Sequence, residues 1–225
     1  MDATAAPAAS HELDDRSLAS KRAYQYIRDS VYLGRFKPGQ IVTAREVANV
    51  VGVSRTPVRE AMQRASADGL IQLEGFRRAR VSSFSEADTK DLFEIRAALE
   101  AIAAARATTQ ISEEEIDRLV ALTDALEEAT RAAGPELFRE FADFNSAFHT
   151  VIVKAAGSRQ LMLVLEHLIE TPLILHKRFE GTPMVNIART IRHHREIIAA
   201  FRARDPELAR ATMTAHLMSA RSSLL

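Results

Sequence analysis

The chain has 225 residues, of which 47% are hydrophobic and 27% are charged, a balance typical of a globular protein with a substantial core. It contains no cysteine, which excludes disulfide bonds, a thiol nucleophile and a cysteine-ligated metal site. The sequence shows neither a signal-peptide pattern nor an apolar stretch that could span a bilayer, so we expect a cytoplasmic protein without membrane contact.

The net charge is zero, but the charges are unevenly distributed along the chain. Residues 17–83 contain twelve Lys and Arg against five Asp and Glu, a net charge of +7, whereas residues 1–16 carry −3 and residues 84–225 carry −4. A basic segment joined to acidic ones is typical of a DNA-binding domain attached to another domain. We therefore predict a disordered arm over 1–16, a DNA-binding domain over 17–83 and a helical domain over 84–225.

The basic segment begins with a predicted helix over residues 18–33. Its inward-facing side chains are expected to be Tyr24, Ile27, Val31 and Tyr32. Gly34 ends this helix, and Ile41 and Val42 follow as a short extended segment.

Residues 47–70 then predict two short helices joined by a tight turn. Gly52 ends the first helix, Ser54 is a suitable N-cap for the second, and Pro57 falls in the first turn of the second helix. The exposed face of that second helix would carry Arg55, Thr56, Arg59, Gln63 and Arg64. Arginines one turn apart suit phosphate and guanine contacts in a major groove, and a solvated basic face is the alternative interpretation.

A hairpin is predicted directly after this helix pair. Its strands cover residues 70–73 and 79–82, and its tip carries Arg77 and Arg78. A hairpin in this position is the wing of a winged helix-turn-helix, and arginines at a wing tip are attracted by the negative potential of a minor groove.

Residues 17–83 resemble the N-terminal domain of the GntR superfamily of bacterial transcription regulators. The motifs that carry the resemblance are GRFKPGQIV at 34–42, REVANVVGVSRTPVREAMQR at 45–64 and DGLIQL at 68–73. The resemblance implies that Arg45, Arg55 and Arg59, with Thr56 beside them, contact DNA. Family members usually have glycine where Arg78 stands, and the added charge is expected to strengthen backbone binding.

From Ser85 onward the patterns predict six helices with short connections. Ser85 with Asp88 and Ser112 with Glu115 form capping boxes that start the first two of these helices. Helices of this length and spacing predict an antiparallel bundle of six to seven helices, so the fold class is mainly α.

The predicted apolar faces include Ile95 and Ile102 on the first bundle helix and Leu208 on the last. The fourth helix is expected to run from about residue 159 to 179, with a kink at Pro172.

Three histidines lie on helical stripes that should face inward, namely His149, His194 and His216, and His149 follows Asn145 by one turn. Imidazole nitrogens and an amide oxygen suit Zn²⁺, Ni²⁺ or a similar divalent ion. A histidine on an apolar face is more often a core residue with a hydrogen-bonded partner, so the pattern alone fits both a metal site and a polar core.

The helical segment is similar to the FCD effector domain of FadR-type GntR regulators over roughly residues 86–222. The motifs are LFEIRAALE at 92–100, FNSAFHTVIVKAAG at 144–157, HREIIAAFRARD at 194–205 and ARATMTAHL at 209–217. The resemblance implies a divalent metal held by Asn145, His149, His194 and His216, with asparagine standing where aspartate is usual. It also implies that Arg96 contacts the carboxylate of a small effector; an ion pair between Arg96 and Glu100 is the alternative.

These observations predict a regulator without enzymatic activity: a homodimeric repressor that binds a palindromic double-stranded operator. A small organic acid bound near the metal would control its DNA affinity. The alternatives are a metalloenzyme that uses the three-histidine site and a metal-free helical dimerisation module. The sequence contains no HExxH motif and no convincing general base, which disfavours the enzyme.

Overall fold

The computed structural model describes residues 8–75, 77–83, 85–134, 136–169 and 186–222. The chain forms two compact units, Met1–Ser83 and Phe84–Leu225. Within the described ranges, no helix is both long enough and apolar enough to cross a lipid bilayer.

The N-terminal unit begins with helix α1, which spans Ala8–Tyr32. The arm expected to be disordered over residues 1–16 is thus helical from Ala8 onward, and residues 1–7 lie outside the described residues. Helix propensity accounts for the difference, because residues 8–16 include alanine, leucine and glutamate but neither glycine nor proline. The side chains predicted to face inward are buried, namely Tyr24, Ile27, Val31 and Tyr32.

Strand β1 (Ile41–Thr43) leads directly into helix α2 (Ala44–Val51), which a turn joins to helix α3 (Arg55–Ala67). At the start of α2, the Thr43 hydroxyl accepts from the Glu46 N–H at 3.2 Å, and the Glu46 carboxylate accepts from the Thr43 N–H at 2.8 Å. Gly52 ends α2 with a φ of 72°, a left-handed conformation that favours glycine. Ser54 occupies the N-cap position of α3, although its hydroxyl makes no capping hydrogen bond there.

Strands β2 (Ile71–Leu73) and β3 (Arg78–Val81) complete a three-stranded antiparallel sheet in the order β1–β3–β2. In this sheet Ala79 pairs with Val42 on one side and with Leu73 on the other. Because the β2–β3 hairpin follows α3, the N-terminal unit is a winged helix-turn-helix, which confirms the prediction.

The C-terminal unit is helical throughout its described part. Its six described helices are α4 (Glu86–Ala107), α5 (Glu113–Ala132), α6 (Leu137–Ala155), α7 (Arg159–Ile169), α8 (Ile187–Arg202) and α9 (Pro206–Ser222). The predicted capping boxes of Ser85 and Ser112 are both formed. The mainly α fold class is therefore confirmed. Residues 170–185, which include the predicted kink at Pro172, lie outside the described residues.

The core of this unit is built from large aliphatic and aromatic side chains of α5 to α8. The most completely buried of them include Leu119, Phe148, Ile152, Leu165, Ile197 and Phe201. Helix α4 packs against α6, α7 and α9, so all six helices share one apolar interior.

Three predicted core positions are wrong. Ile95 and Ile102 of α4 are 49% and 39% exposed, and Leu208 of α9 is 43% exposed. Helix α4 instead buries Phe93 and a row of alanines that includes Ala97, Ala101 and Ala104. Apolar residues occur on every side of α4, so periodicity does not select a face, and the small alanines allow neighbouring helices to approach closely.

Candidate nucleic-acid interface and metal centre

Helix α3 has one polar face and one buried face. The exposed side chains include those predicted to contact DNA, namely Arg55, Thr56 and Arg59, together with Gln63 and Arg64. The buried side chains of α3 are Pro57, Val58, Ala61, Met62 and Ala65. Arg45 of α2 is exposed as well. The apolar face anchors α3 in the unit, which leaves the arginines at its N-terminal end on the surface.

Arg64 differs from the other arginines of α3, because it packs against the unit itself. Its guanidinium lies 4.1 Å from the centroid of the Tyr24 ring, and its Nε lies 3.9 Å from an Asp68 carboxylate oxygen. The Tyr24 hydroxyl donates to that carboxylate at 2.6 Å. Arg64 therefore contributes to the packing of α1 on α3.

The wing carries an acidic residue among its arginines. Arg77 and Arg78 are exposed, as expected for a tip that approaches DNA. Glu74 accepts a hydrogen bond from Arg80 Nε at 2.7 Å and lies 3.3 Å from Arg78 Nε. Arg80 also donates to the Gly39 carbonyl at 3.0 Å. Glu74 thus offsets part of the positive charge of the wing, a role that is not predicted from the sequence.

A cleft of about 290 Å³ separates α3 from the wing. Its lining residues are Arg59, Met62, Gln63, Leu73, Gly75 and Arg78. Two of the residues predicted to contact DNA, Arg59 and Arg78, therefore lie on the same cleft although 19 positions separate them in the sequence. The two arginines that line the cleft favour an anionic partner such as a phosphate backbone.

In the C-terminal unit, the structure brings together the three predicted histidines from three helices. His149 of α6, His194 of α8 and His216 of α9 are at most 3% exposed, and a ligand nitrogen from each lies within 4.8 Å of the others. The Nε2 atoms of His149 and His216 are 3.2 Å apart. Asn145, the predicted fourth ligand, is half-buried on α6 one turn before His149.

The surroundings of the cluster keep the imidazoles in place. The His194 ring stacks on Phe148, with ring centroids 3.7 Å apart and an interplanar angle of 3°.

Both nitrogens of His194 and Nδ1 of His216 are buried and have no hydrogen-bond partner among the described residues. Burial, reinforced by the charge that neighbouring histidines would carry, lowers the pKa values of His194 and His216 well below their ordinary value. Both rings are therefore neutral at pH 7, the form that binds metals.

The donor set fits a divalent metal ion. Two nitrogen ligands that each lie about 2.0–2.1 Å from a tetrahedral ion are about 3.3 Å apart, close to the separation of the His149 and His216 Nε2 atoms. Nitrogens left without hydrogen bonds in a buried site are costly unless they have another partner. A metal would give the unpaired histidine nitrogens that partner, and imidazole is a preferred ligand of Zn²⁺ and Ni²⁺.

A buried network of charged groups lies beside the histidines. Arg96 and Glu100, both on α4, form an ion pair with an Nε–Oε1 distance of 2.7 Å, and the two side chains are 7% and 1% exposed. The other Glu100 oxygen contacts His149 Nδ1. Burial opposes ionisation of Glu100, but the Arg96 guanidinium and the contact with His149 outweigh it and lower the pKa of Glu100 to about 2.

This network bears directly on the two interpretations of Arg96. The ion pair with Glu100 is present, whereas Arg96 Nη2 is buried without a hydrogen-bond partner in the described part of the chain. From the sequence, Glu100 is expected only as a partner of Arg96, and its contact with His149 is not predicted. This contact could have been suspected from the position of Glu100, one turn from Arg96 on a buried helix face, because a buried ionisable residue is rarely found without a partner.

The comparisons with known proteins agree with this division into two units. The profile of the FCD domain matches residues 91–219, and that of the bacterial regulatory proteins of the gntR family matches residues 19–81. The chain belongs to the GntR family of transcription regulators, with a C-terminal FCD domain. Proteins of this family regulate transcription through DNA binding.

The regulator is similar over most of its length to curated members of the family. It is 31% identical to the HTH-type transcriptional regulator YdhC of Bacillus subtilis, over 86% of this chain and 85% of YdhC. It is also 31% identical to a probable D-xylose utilization operon transcriptional repressor of Paenarthrobacter nicotinovorans, over 90% of this chain and 87% of that protein.

The fold of the regulator is also found in solved structures. Escherichia coli McbR/YncC has a TM-score of 0.76 and 22% sequence identity, covering 92% of this chain and 96% of that one. A GntR regulator from a Rhodococcus species has a TM-score of 0.68 and 20% identity, covering 91% of this chain and 96% of that one. At these identities the likeness concerns the fold alone.

Proposed function

We propose that the regulator is a metal-dependent, effector-controlled repressor that binds a palindromic operator as a homodimer. A small carboxylate bound near a divalent metal in the FCD domain would control its DNA affinity. The observation that carries this proposal is the buried cluster of His149, His194 and His216, because three buried imidazoles, several of whose nitrogens make no hydrogen bond, form a ligand set for a metal.

The DNA-contacting set is proposed to be Arg45, Arg55, Thr56, Arg59, Arg77 and Arg78. All six side chains are exposed and lie on α2, on the N-terminal half of α3 or on the wing. In this arrangement α3 enters the major groove and the wing contacts the adjacent backbone or minor groove. The cleft between α3 and the wing supports this assignment, because Arg59 and Arg78 both line it.

The metal ligands are proposed to be His149, His194, His216 and Asn145, with Zn²⁺ or Ni²⁺ as the ion. A metal bound there would supply a local positive charge, which the neutral amide of Asn145 does not offset. The nearby Arg96 has a buried nitrogen, Nη2, that is available to hydrogen-bond a carboxylate. We therefore expect an anionic effector, held between the metal charge and Arg96.

An apolar stripe on α4 supports a homodimer. Leu92, Ile95, Leu99 and Ile102 follow one another at intervals of three and four residues, the spacing that places side chains along one helix face. Ile95 and Ile102 are exposed within a single chain, and Leu92 and Leu99 are only partly buried. Contact with a second copy would remove these side chains from water, and two copies would present two α3 helices to an inverted repeat.

Effector binding would act by favouring one arrangement of the two DNA-binding units in the dimer. A ligand shifts such an equilibrium only by its difference in affinity for the two states. Repression is proposed because two of the curated relatives, the Paenarthrobacter protein and E. coli RspR, are named transcriptional repressors.

The DNA-binding part of the proposal can be tested by selecting sequences from a random duplex library with the full-length protein. Inverted repeats among the selected duplexes are expected. Arg55→Ala and Arg59→Ala should each weaken binding to a selected duplex at least tenfold in fluorescence anisotropy, since each removes a direct contact. Arg118→Ala, which removes an exposed arginine of α5 in the other unit, is the matched control. Wild-type affinity in both α3 variants would refute the assignment of α3 as the recognition helix.

The metal and effector can be tested together. Metal analysis of purified protein should find about one Zn²⁺ or Ni²⁺ per chain, and none in the His149→Ala variant. A thermal-shift screen against acetate, lactate, citrate and similar acids should find stabilisation that disappears with a chelator or in Arg96→Met. Metal-free protein that is stabilised by no acid would favour the helical dimerisation module, and turnover of an ester or amide would favour the metalloenzyme.

A further inference from the structure

Glu100 is a buried carboxylate that the predicted ligand set does not include. It is 1% exposed and lies between Arg96 on its own helix and His149 on α6. It is not one of the residues whose ligand atoms cluster within 4.8 Å, since that described group consists of His149, His194 and His216. Glu100 therefore reaches the cluster through Nδ1 of His149, whereas Nε2 of the same ring lies near His216.

The two contacts of His149 assign different roles to its two nitrogens. Nδ1 contacts a Glu100 oxygen, and Nε2 lies 3.2 Å from His216 Nε2. An ionised carboxylate oxygen offers only lone pairs, so its contact with Nδ1 is favourable when Nδ1 carries a proton. In a neutral imidazole the other nitrogen then has a free lone pair. Glu100 thus selects the tautomer in which Nε2 of His149 can bind a metal.

Arg96 holds the Glu100 carboxylate in position for its contact with His149. Its Nε donates to the other Glu100 oxygen at 2.7 Å, so Arg96 holds one carboxylate oxygen while the other contacts His149. The guanidinium balances the buried negative charge, and it holds the carboxylate in one orientation. Within the described part of the chain, His149 is the histidine of the cluster whose ring nitrogen contacts a carboxylate.

We propose that Glu100 is a positioning residue of the metal centre, which orients His149 and fixes its tautomer before the ion binds, and that Arg96 holds Glu100 in place for this purpose. This inference rests on the proposed metal site. It goes beyond that site in assigning a function to an ion pair that would otherwise be only structural. Carboxylates that accept from metal-ligating histidines typically raise metal affinity 10-fold to 100-fold.

The test measures Zn²⁺ affinity of the full-length protein by competition with a chromophoric chelator. Glu100→Gln keeps the shape and a neutral acceptor but removes the charge. The double variant Arg96→Met/Glu100→Leu removes the acceptor and leaves no unpaired buried charge, so it is expected to fold even if the single variant does not. Glu94→Gln is the matched control, because Glu94 lies on the same helix in an exposed ion pair with Arg221.

We expect Zn²⁺ affinity to fall 10-fold to 100-fold in the double variant, less in Glu100→Gln and not at all in Glu94→Gln. A second readout is the histidine tautomer in metal-free protein, measured by ¹⁵N NMR. The wild type should show His149 protonated at Nδ1, and the double variant should show a mixture of tautomers. If Glu100 served only to stabilise the fold, the double variant would show the same His149 tautomer as the wild type.

The outcomes separate this inference from the proposed function. If the wild type and His149→Ala bind Zn²⁺ equally or not at all, the metal centre itself is refuted, together with the role of Glu100. If the wild type binds Zn²⁺, His149→Ala does not, and the folded double variant binds as tightly as the wild type, only the positioning role is refuted. Protonation of His149 at Nε2 in the wild type would refute it as well.

Discussion

Lowering the pH from 7.5 to 5.5 is expected to destabilise the FCD domain of the metal-free regulator by about 3 kcal/mol. The reason is the burial of His194 and His216, which lowers their pKa values well below the ordinary value of 6.5. Above pH 6.5 both histidines are neutral in the folded and in the unfolded chain. Below that pH the unfolded chain takes up protons that the folded chain does not, so stability falls as the pH falls.

The magnitude follows from the number of histidines involved. One pH unit below 6.5, a histidine that stays neutral only in the folded chain contributes about 1.4 kcal/mol of destabilisation, which gives about 3 kcal/mol for the pair. This is a large fraction of the 5–15 kcal/mol that stabilises a typical domain, and it corresponds to a fall in Tm of roughly 10 °C. Glu100 does not contribute in this range, because its ordinary pKa of 4.5 and its lowered pKa of about 2 both lie below pH 5.5.

The assay is urea unfolding in the presence of a chelator, followed by far-UV circular dichroism, since the chain contains no tryptophan. The His194→Leu variant is the matched control, because leucine suits the apolar contact with Phe148. The variant should lose only about half as much stability between the two pH values as the wild type. Equal stability of the wild type at pH 7.5 and 5.5, or an undiminished loss in His194→Leu, would refute the reasoning.

Three further predictions concern single side chains. Thr43→Ala should lower the stability of the N-terminal unit by about 1 kcal/mol in thermal unfolding, whereas Ser54→Ala should lower it less. The reason is that Thr43 makes a capping hydrogen bond and Ser54 does not. Phe148→Ala should cost about 3–5 kcal/mol in urea unfolding and also weaken Zn²⁺ binding in chelator competition, because it removes the ring on which His194 stacks. Glu74→Gln should raise affinity for a random duplex several-fold and steepen its salt dependence in anisotropy titrations, because it releases two arginines of the wing. An unchanged salt slope would contradict the last prediction.

The winged helix-turn-helix could be predicted from the sequence because its signals are local. Gly52 at the end of α2 and the N-cap at Ser54 mark the turn, and the apolar residues of α3 fall on one face. The inward orientation of His194 could also be predicted, because it lies on the regular stripe formed by Ile187, Ile191 and Ile198, all of which are buried.

Contacts between distant segments of the chain could not be predicted from the sequence. His149 and Glu100 are 49 residues apart, and their pairing depends on how α6 packs against α4. The predicted buried face of α4 is wrong for a related reason. Alanines such as Ala97 and Ala101 give little periodic signal, so the pattern favours the larger Ile95 and Ile102 for the core although they are exposed.

Thr43 joins the wing to the helix-turn-helix through a single residue. It ends β1, where it is paired with Arg78 of β3, and its side chain caps α2. Displacing the wing would therefore disturb the first turn of α2 as well, because no flexible linker separates the two elements. The winged helix-turn-helix thus behaves as a rigid unit in which α3 and the wing keep a fixed spacing. Fused to a different effector domain, this unit should retain its preference for a DNA sequence and respond to a different ligand.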